Sequence, residues 1–212
     1  MNCCQCQGIE TEFDQKKAAR KLESYRARGP DLTTRILIDA LQAEGTHGMT
    51  LLDIGGGTGA ISHELLKAGI SSALEVEAST ASLEAAKDEA VRQGHADRVR
   101  QRHGNFVDVA ADISPADIVT LDRVICCYHD MQGLVSLSAA RARKLYGVVY
   151  PRDMWWVKIG LAIENFFYRL RQSPFRVFVY STEAVEAIIS SHGLKRCFSH
   201  KTLVWQVVVY AR

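Results

Sequence analysis

The residues best suited to chemistry lie in one short run, Leu-Leu-Asp-Ile-Gly-Gly-Gly-Thr-Gly at positions 51–59. Its apolar residues predict a strand that closes on an acidic residue, Asp53. The glycines Gly55, Gly57 and Gly59 then allow tight turns and let the backbone approach a ligand closely. A helical pattern of apolar residues follows at once. A strand, a glycine loop and a helix in this order place backbone N–H groups and a helix N-terminus beside a polar ligand.

The nature of that ligand depends on Asp53. The run Gly55–Ala60 fits the loose fingerprint of dinucleotide-binding proteins, which alone is a weak signal. A carboxylate beside the loop would repel a pyrophosphate but attract an ammonium group. S-adenosylmethionine carries an ammonium and a sulfonium group and no phosphate. Asp53 therefore favours S-adenosylmethionine as the cofactor.

Two further strand ends supply residues for an adenosine. Glu77 closes the next predicted strand, where a carboxylate can accept hydrogen bonds from both ribose hydroxyls. The third strand runs into Asn105 and Phe106. Asn105 can hydrogen-bond an adenine edge and Phe106 offers an apolar wall, although a plain turn with a core phenylalanine is the alternative.

The elements that position these residues follow from the spacing of apolar residues and from helix-breaking residues. Strands are predicted near 50–54, 73–77, 98–102, 117–121 and 145–150, and then near 196–200 and 203–210. Helices are predicted at 12–28, 32–43, 59–68, 80–92, 131–144, 153–171 and 182–191. Strands that alternate with helices predict an α/β fold with a mostly parallel sheet. The last two strands are joined by Lys201 and Thr202 alone, so they should be antiparallel neighbours.

Composition places the chain among ordinary globular proteins. Its 212 residues are 47% hydrophobic and 24% charged, with a net charge of +2. This balance gives no sign of a nucleic-acid partner. Residues 1–20 lack the apolar segment of a signal peptide, and we expect a cytoplasmic protein. The apolar face predicted at 153–171 is interrupted by charges, so a transmembrane span is not expected, although peripheral membrane contact is compatible with it.

Three of the six cysteines crowd the first six residues: Cys3, Cys4 and Cys6. They could hold a metal through thiolates, but no second Cys-x-x-Cys and no nearby histidine accompany them. A reduced, frayed terminus is the favoured interpretation, so no metal site is predicted.

At this point the sequence resembles the class I S-adenosylmethionine-dependent methyltransferases over about residues 31–212. The first motif of that family falls on Asp53–Gly59, and its fourth-strand motif falls on Asp117–Arg123. The resemblance implies a Rossmann-like fold with seven strands, mostly parallel, an antiparallel C-terminal strand and helices on both faces. Residues 1–30 would precede this domain as a cysteine-containing tail and a lid helix. The cofactor contacts that it implies are Asp53, Gly55, Gly57, Gly59, Glu77, Asn105, Phe106 and Asp122.

A closer resemblance is to the magnesium-protoporphyrin O-methyltransferases. It lies in the basic helix that ends with Arg26, Arg28 and Gly29, in the stretch 122–128, and in Tyr150-Pro151-Arg152 before an aromatic helix. This resemblance implies O-methylation of a small aromatic or macrocyclic acceptor.

The catalytic candidates follow the fourth and fifth strands. The fourth strand leads into Cys126-Cys127-Tyr128-His129 at the expected ligand crevice. A hydroxyl acceptor gains from a general base, and His129 suits that role by its pKa. Tyr128 could orient the acceptor, and Arg152 could anchor a carboxylate acceptor. The alternative is that His129 and its neighbours merely begin the next helix.

Two other functions compete with a methyltransferase. A nicotinamide-dinucleotide-dependent oxidoreductase would share the glycine loop, but Asp53 and the antiparallel end of the sheet argue against it. A non-catalytic S-adenosylmethionine-binding protein, with the cysteine-rich tail as an interaction segment, would share every cofactor residue. The identity of the acceptor, the atom methylated and the oligomeric state do not follow from the sequence.

Overall fold

A computed structural model describes residues 4–212 of the chain, with side chains from Gly8 onward. Within that range the strands are β1 (Thr50–Ile54), β2 (Ser72–Glu77), β3 (Val99–His103), β4 (Ala116–Asp122), β5 (Ala142–Pro151), β6 (Lys195–Lys201) and β7 (Trp205–Ala211). The α-helices are α1 (Cys4–Glu12), α2 (Gln15–Arg28), α3 (Leu32–Ala43), α4 (Ala60–Lys67), α5 (Thr80–Arg92), α6 (Phe106–Val109), α7 (Met131–Ala139), α8 (Trp155–Leu170) and α9 (Thr182–Ser191). The predictions for the N-terminal cysteines fall on Cys3 and on the side chains of Cys4 and Cys6, which lie outside the described residues.

The strands form one sheet in the order β3-β2-β1-β4-β5-β7-β6. Strand β7 runs antiparallel to both β5 and β6, while the other neighbouring strands are parallel. The predicted α/β fold with an antiparallel C-terminal strand is therefore confirmed. The strand order reverses between β1 and β4, and an open α/β sheet binds ligands at such a point, beyond the carboxyl ends of its strands.

The sheet is buried on both faces. Leu51 of β1 packs on one side with Leu41 of α3 and Leu65 of α4. The next residue, Leu52, packs on the other side with Val135 of α7 and Ile189 of α9. Because alternate residues of a strand point to opposite faces, a strand covered on both sides needs an uninterrupted apolar run. Asp53 breaks that run in β1, which marks it as a residue with another role.

The element boundaries differ from the prediction in three places. The helix predicted from residue 12 is preceded by a further helix, α1, because Asp14 caps the start of α2 by accepting a hydrogen bond from the Lys17 N–H at 2.9 Å. The helix predicted at 131–144 ends at Ala139, and β5 begins at Ala142, earlier than predicted. The single-turn helix α6 was not predicted, since four residues are too few for a periodic pattern.

The N-terminal helices lie against the body of the protein. A Cβ atom on Gly8 would lie 2.6 Å from the backbone nitrogen of Phe175, so only a glycine allows α1 to approach so closely. The Ser79 hydroxyl, at the start of α5, donates a 2.7 Å hydrogen bond to the Phe13 carbonyl. These contacts place α1 and α2 beside the carboxyl ends of the strands. The division of the chain at residue 30 stays a prediction.

Candidate functional site

A cavity of about 460 Å³ lies at the carboxyl ends of β1, β2 and β4. Cavities that hold cofactor-sized ligands measure roughly 300–1,000 Å³. Of the eight residues predicted to contact the cofactor, six line this cavity: Gly55, Gly57, Glu77, Asn105, Phe106 and Asp122. The other two, Asp53 and Gly59, lie behind the glycine loop and do not line it.

The loop after β1 requires its glycines. Gly55, Gly57 and Gly59 have φ angles of 66°, 61° and 78°, in the left-handed region that side chains disfavour. A Cβ atom on Gly55 would also lie 2.5 Å from a methyl group of Val124. The loop is therefore free of side chains on the surface that it presents to the cavity.

Glu77 holds this loop in place from the end of β2. Its Oε2 accepts a 3.0 Å hydrogen bond from the Gly57 N–H, and its Oε1 accepts one of 2.8 Å from the Ser79 N–H. Burial raises the pKa of Glu77 above its ordinary value. A carboxylate has about four acceptor positions, so these backbone hydrogen bonds leave acceptor capacity for a hydroxyl group in the cavity.

Asp53 lies beneath the same loop and is fully buried. Its Oδ1 accepts a 2.7 Å hydrogen bond from the Thr120 hydroxyl. Its Oδ2 has no hydrogen-bond partner among the described residues, and it lies 2.6 Å from the position that a Cβ of Gly56 would take. Burial raises the pKa of Asp53 to about 8. A positive charge above the loop would stabilise this carboxylate and supply the interaction that Oδ2 lacks.

Asn105 and Tyr128 form a pair on the wall of the cavity. The Asn105 side-chain amide donates a 3.0 Å hydrogen bond to the Tyr128 hydroxyl. Its oxygen accepts a 3.4 Å hydrogen bond from the Val107 N–H and so caps α6. Phe106, the first residue of α6, is buried and supplies an apolar wall.

A polar network joins the end of β4 to α3. The Arg123 guanidinium lies 3.1 Å from Asp122 and 3.0 Å from Asp31. Thr34 donates a hydrogen bond to the same Asp122 carboxylate. Asp31 precedes α3 but makes no capping hydrogen bond, since its carboxylate pairs with Arg123 instead. Arg123 itself has a φ of 62°, a conformation that costs a non-glycine residue about 1–2 kcal/mol.

The structure does not bring the three predicted catalytic side chains together. Tyr128 is buried and lines the cavity, whereas His129 is exposed and lies outside the lining. The Arg152 guanidinium donates a 2.9 Å hydrogen bond to the Thr202 carbonyl and lies 5.9 Å from the centre of the Trp156 ring. Arg152 does not line the cavity either. Catalytic roles for His129 and Arg152 stay predictions from the sequence.

Sequence reasoning missed the part of the lining that is far from the strand ends. The Tyr168 hydroxyl of α8 lies 2.9 Å from Glu12 of α1 and 3.2 Å from Glu164. Glu12 also pairs with Lys17. The remaining lining includes apolar side chains from α1, α8 and the segments that follow: Ile9, Phe13, Leu161, Phe175, Val177 and Trp205. The aromatic composition of 153–171 was the available signal, but it does not reveal which residues of the helix face inward.

Among the side chains that the structure describes, from Gly8 onward, no group of three or more His, Cys, Asp or Glu residues is placed to hold a metal ion. In the same part of the chain, no helix is long and apolar enough to cross a membrane.

Comparison with known proteins agrees with this geometry. Residues 52–149 match the family model described as a methyltransferase domain. That span contains the glycine loop, Glu77, Asn105 and the end of β4. The chain therefore contains a methyltransferase domain over these residues. No curated protein matches the sequence.

Solved structures match the fold over nearly the whole chain. Magnesium protoporphyrin IX methyltransferase from Synechocystis PCC 6803 with bound SAH is 14% identical, with a TM-score of 0.77 over 98% of this chain and 99% of that chain. An O-methyltransferase family protein from Burkholderia thailandensis is 13% identical, with a TM-score of 0.71 over 96% of this chain and 62% of that chain. A chain of the Haloferax volcanii complex between the Trm112 methyltransferase activator and a putative methyltransferase is 14% identical, with a TM-score of 0.71 over 96% of both chains. At these identities the likeness shows the shared fold.

Asp53→Asn tests the burial of the carboxylate. Folding raises the pKa of Asp53 from 3.8 to about 8, so the folded protein keeps a proton that the unfolded chain loses. This contribution stabilises the folded state below about pH 4 and is lost as the pH rises to about 8. The Asp53→Asn variant has no such proton to lose, so its stability should not fall in this way. Its free energy of unfolding, measured with denaturant, should rise relative to that of the parent by an amount on the order of 3 kcal/mol between pH 5 and pH 8.

Asp117→Asn is the matched control for this experiment. Burial raises the pKa of Asp117, but hydrogen bonds from Thr50 outweigh this and hold it below its ordinary value. Asp117 therefore titrates below the pH 5–8 window, and its substitution should not change the pH dependence there. If the free energy of unfolding depended on pH in the same way in both variants, the explanation given for Asp53 would be contradicted.

Proposed function

We propose that the protein transfers a methyl group from S-adenosylmethionine to a hydroxyl oxygen of a flat, apolar acceptor, aromatic or macrocyclic. The observation that carries this proposal is the division of the cavity. Backbone N–H groups and polar side chains surround its end at the glycine loop. Its other end combines apolar side chains of α1, α8, Phe175 and Val177 with the polar cluster around Glu12 and Tyr168. Two of the similar structures are described as O-methyltransferase family proteins.

The residues around the glycine loop fit the donor. The carboxylate of Asp53, which lies behind the loop with Oδ2 unpartnered, would be stabilised by the charge of its ammonium group, and the open acceptor positions of Glu77 would receive its ribose hydroxyls. Asn105 and Phe106 would flank its adenine, and Asp122 would lie beside its methionine portion. The Lys21 ammonium lies 3.3 Å from the position of a Cβ on Gly57, where it would meet the carboxylate of the donor. When bound, S-adenosylmethionine supplies a methyl group that its sulfonium already activates.

Glu77→Gln tests the donor end. The substitution keeps the size of the side chain but removes the charge that strengthens hydrogen bonds from ribose hydroxyls. We expect the affinity for S-adenosylhomocysteine to fall about 10- to 100-fold, since a hydrogen bond to a charged group is worth roughly 1.5–3 kcal/mol. Titration calorimetry provides the measurement. Glu75→Gln, two residues earlier in β2 and outside the cavity lining, should change the affinity less than about 3-fold. Equal losses in both variants would argue against the role of Glu77.

The acceptor end of the cavity favours a neutral hydroxyl group over an acceptor carboxylate. Glu12, Glu164 and Lys17 line it, so two carboxylates are balanced by one cation and a third carboxylate would be repelled. A hydroxyl oxygen that gains a methyl group must lose its proton. The Glu12 carboxylate, positioned by the Tyr168 hydroxyl and by Lys17, is placed to take it. The Tyr128 hydroxyl, held by Asn105, would orient the acceptor from the opposite end of the lining.

The acceptor class is tested by measuring the formation of S-adenosylhomocysteine with three candidate acceptors. Apigenin carries aromatic hydroxyls, magnesium protoporphyrin IX carries carboxylates on a flat macrocycle, and sarcosine carries an amine. We expect turnover with the hydroxyl acceptor and about 100-fold less turnover in Glu12→Gln, which removes the base. Glu10→Gln is the matched control, since Glu10 lies on the same helix and contacts the Thr80 N–H outside the cavity. Turnover of sarcosine alone, or full activity in Glu12→Gln, would overturn the proposal.

The outer face of α8 supports peripheral contact with a lipid surface. Large apolar side chains on it are exposed, with Trp155 at 68%, Phe166 at 62% and Leu170 at 69%. At 3.6 residues per turn these residues, with the exposed Ile159 and Ile163, share one arc of roughly 80°. Cationic side chains border this arc: Lys158, Arg169 and Arg171. Apolar side chains between cations suit a helix that lies in the interface of an anionic membrane.

Vesicle flotation tests the membrane contact. We expect binding to vesicles that contain phosphatidylglycerol, weaker binding to pure phosphatidylcholine, and loss of binding in Phe166→Glu. Val91→Glu, a substitution of an equally exposed residue on α5 (65%), should bind like the parent. A stable dimer in sedimentation that Phe166→Glu dissociates, without vesicle binding by the parent, would assign this face to a second copy instead.

A further inference from the structure

A cluster of polar side chains fastens α2 to α4 and α5. The Tyr25 hydroxyl of α2 donates a 2.7 Å hydrogen bond to Glu64 of α4, and Gln93 at the end of α5 donates one of 3.3 Å to the same hydroxyl. The next residue of α2, Arg26, donates a 2.8 Å hydrogen bond to Glu89 of α5. The position of α2 therefore depends on this cluster.

Two histidines in contact belong to the same cluster. His63 of α4 is fully buried, and its ring stacks on that of Tyr25, with the ring centres 6.5 Å apart and the planes 17° from parallel. Its Nδ1 lies 3.1 Å from the Nδ1 of His95, which is half-buried between α5 and β3. One hydrogen atom fits between the two nitrogens, and a charged imidazole carries hydrogen on both of its nitrogens. The pair therefore tolerates one charged ring, but two charged rings would place two N–H groups face to face.

The surroundings of the pair oppose a charge on it. Burial, and then the neighbouring His95, lower the pKa of His63 from 6.5 to about 4. Burial also lowers the pKa of His95. The charged and titratable groups around the pair, from α2, α4, β2, α5 and the segment before β3, are Tyr25, Arg26, Glu64, Lys67, Glu75, Glu89, Arg92 and Arg98.

The carboxylates around the pair gain no positive charge to share with it in acid. A hydrogen bond from Arg92 is the main reason that the pKa of Glu89 falls to about 2. Burial raises the pKa of Glu64, but hydrogen bonds, first that from Lys67, outweigh burial and leave it below its ordinary value. Burial raises the pKa of Glu75, so in acid it becomes neutral and offers no counter-charge. The positive charge that this cluster gains as the pH falls therefore lies on the histidines.

We propose that His63 and His95 form an acid-sensitive latch for α2. With one hydrogen between the two rings the latch is closed, and α2 forms part of the cavity wall through Lys17, Ala18 and Lys21. With a proton on each ring the contact is lost, α2 separates from α4 and α5, and the cavity opens to solvent. The consequence for donor binding rests on the proposed function, whereas the movement of α2 does not.

Amide hydrogen exchange of residues 15–28 tests the latch without donor or acceptor. Buried His63 resists a proton until about pH 4, whereas a released histidine has a pKa near 6.5. The contacts of α2 are therefore at full strength above about pH 6.5 and weaken as the pH falls towards 4. The opening constant of α2, corrected for the intrinsic exchange rate, should rise about 20-fold from pH 7 to pH 5. The amides of β1 should show no such rise.

His63→Gln is the main variant, and His200→Gln, at an exposed position of β6, is its matched control. Glutamine keeps a hydrogen-bonding group but gains no charge in acid, so the rise should vanish in His63→Gln and persist in His200→Gln. Circular dichroism establishes that each variant is folded. If His63→Gln does not fold, the half-buried His95→Gln replaces it. His95→Gln should show a smaller rise than the parent, because it removes the charge beside His63.

A rise of the same size in the parent and in these two variants of the pair would overturn the proposal. It would assign the acid sensitivity to another group that faces α2, such as Glu77 beside Lys21. Equal rises in α2 and β1, or none in the parent, would also overturn it. Titration with S-adenosylhomocysteine at pH 7 keeps the two proposals apart, since a failure to bind argues against the donor site and leaves the exchange result for α2 intact.

Discussion

The glycine loop is held between two buried carboxylates, and the donor end of the site depends on that arrangement. Glu77, the last residue of β2, accepts a hydrogen bond from the Gly57 N–H of the loop. Asp53 lies beneath the loop with one oxygen unpartnered. Desolvation of both carboxylates costs free energy that the fold alone does not recover. A cationic, hydroxyl-bearing ligand does recover it, because it supplies a positive charge to Asp53 and donors to Glu77. The two buried carboxylates are thus costly in the isolated chain and favour a ligand that compensates them.

The cavity is completed by parts of the chain that are distant in sequence. Glu12 and Tyr168 are 156 residues apart, yet their side chains meet at 2.9 Å. Gly8 makes this possible, because a larger residue would hold α1 away from Phe175. In the proposed function the strand ends define where the donor lies, and α1 and α8 define the shape of the acceptor region. Donor recognition and acceptor recognition are built from separate elements, so one can change without the other.

This division also explains what the sequence could predict. The mostly parallel sheet, the antiparallel β7 and the positions of Glu77 and Asn105 follow from local patterns, since glycine loops and strand ends carry their own signals. Glu12 and Tyr168 carry none, because their proximity arises from packing between distant helices. His129 is a suitable residue type at a suitable place in the chain, but its side chain is exposed one residue beyond the cavity wall. Residue type and sequence position do not determine which way a side chain points.

The most direct test of this account is the proton balance of ligand binding, measured by titrating S-adenosylhomocysteine at pH 7 in buffers of different ionisation enthalpy. Burial holds the pKa of Asp53 at about 8, so most molecules carry the proton at this pH. An ammonium group placed over the loop lowers that pKa, and the account predicts release of close to one proton on binding, absent in Asp53→Asn. Binding without proton release in the parent, or no binding at near-millimolar ligand, would contradict it.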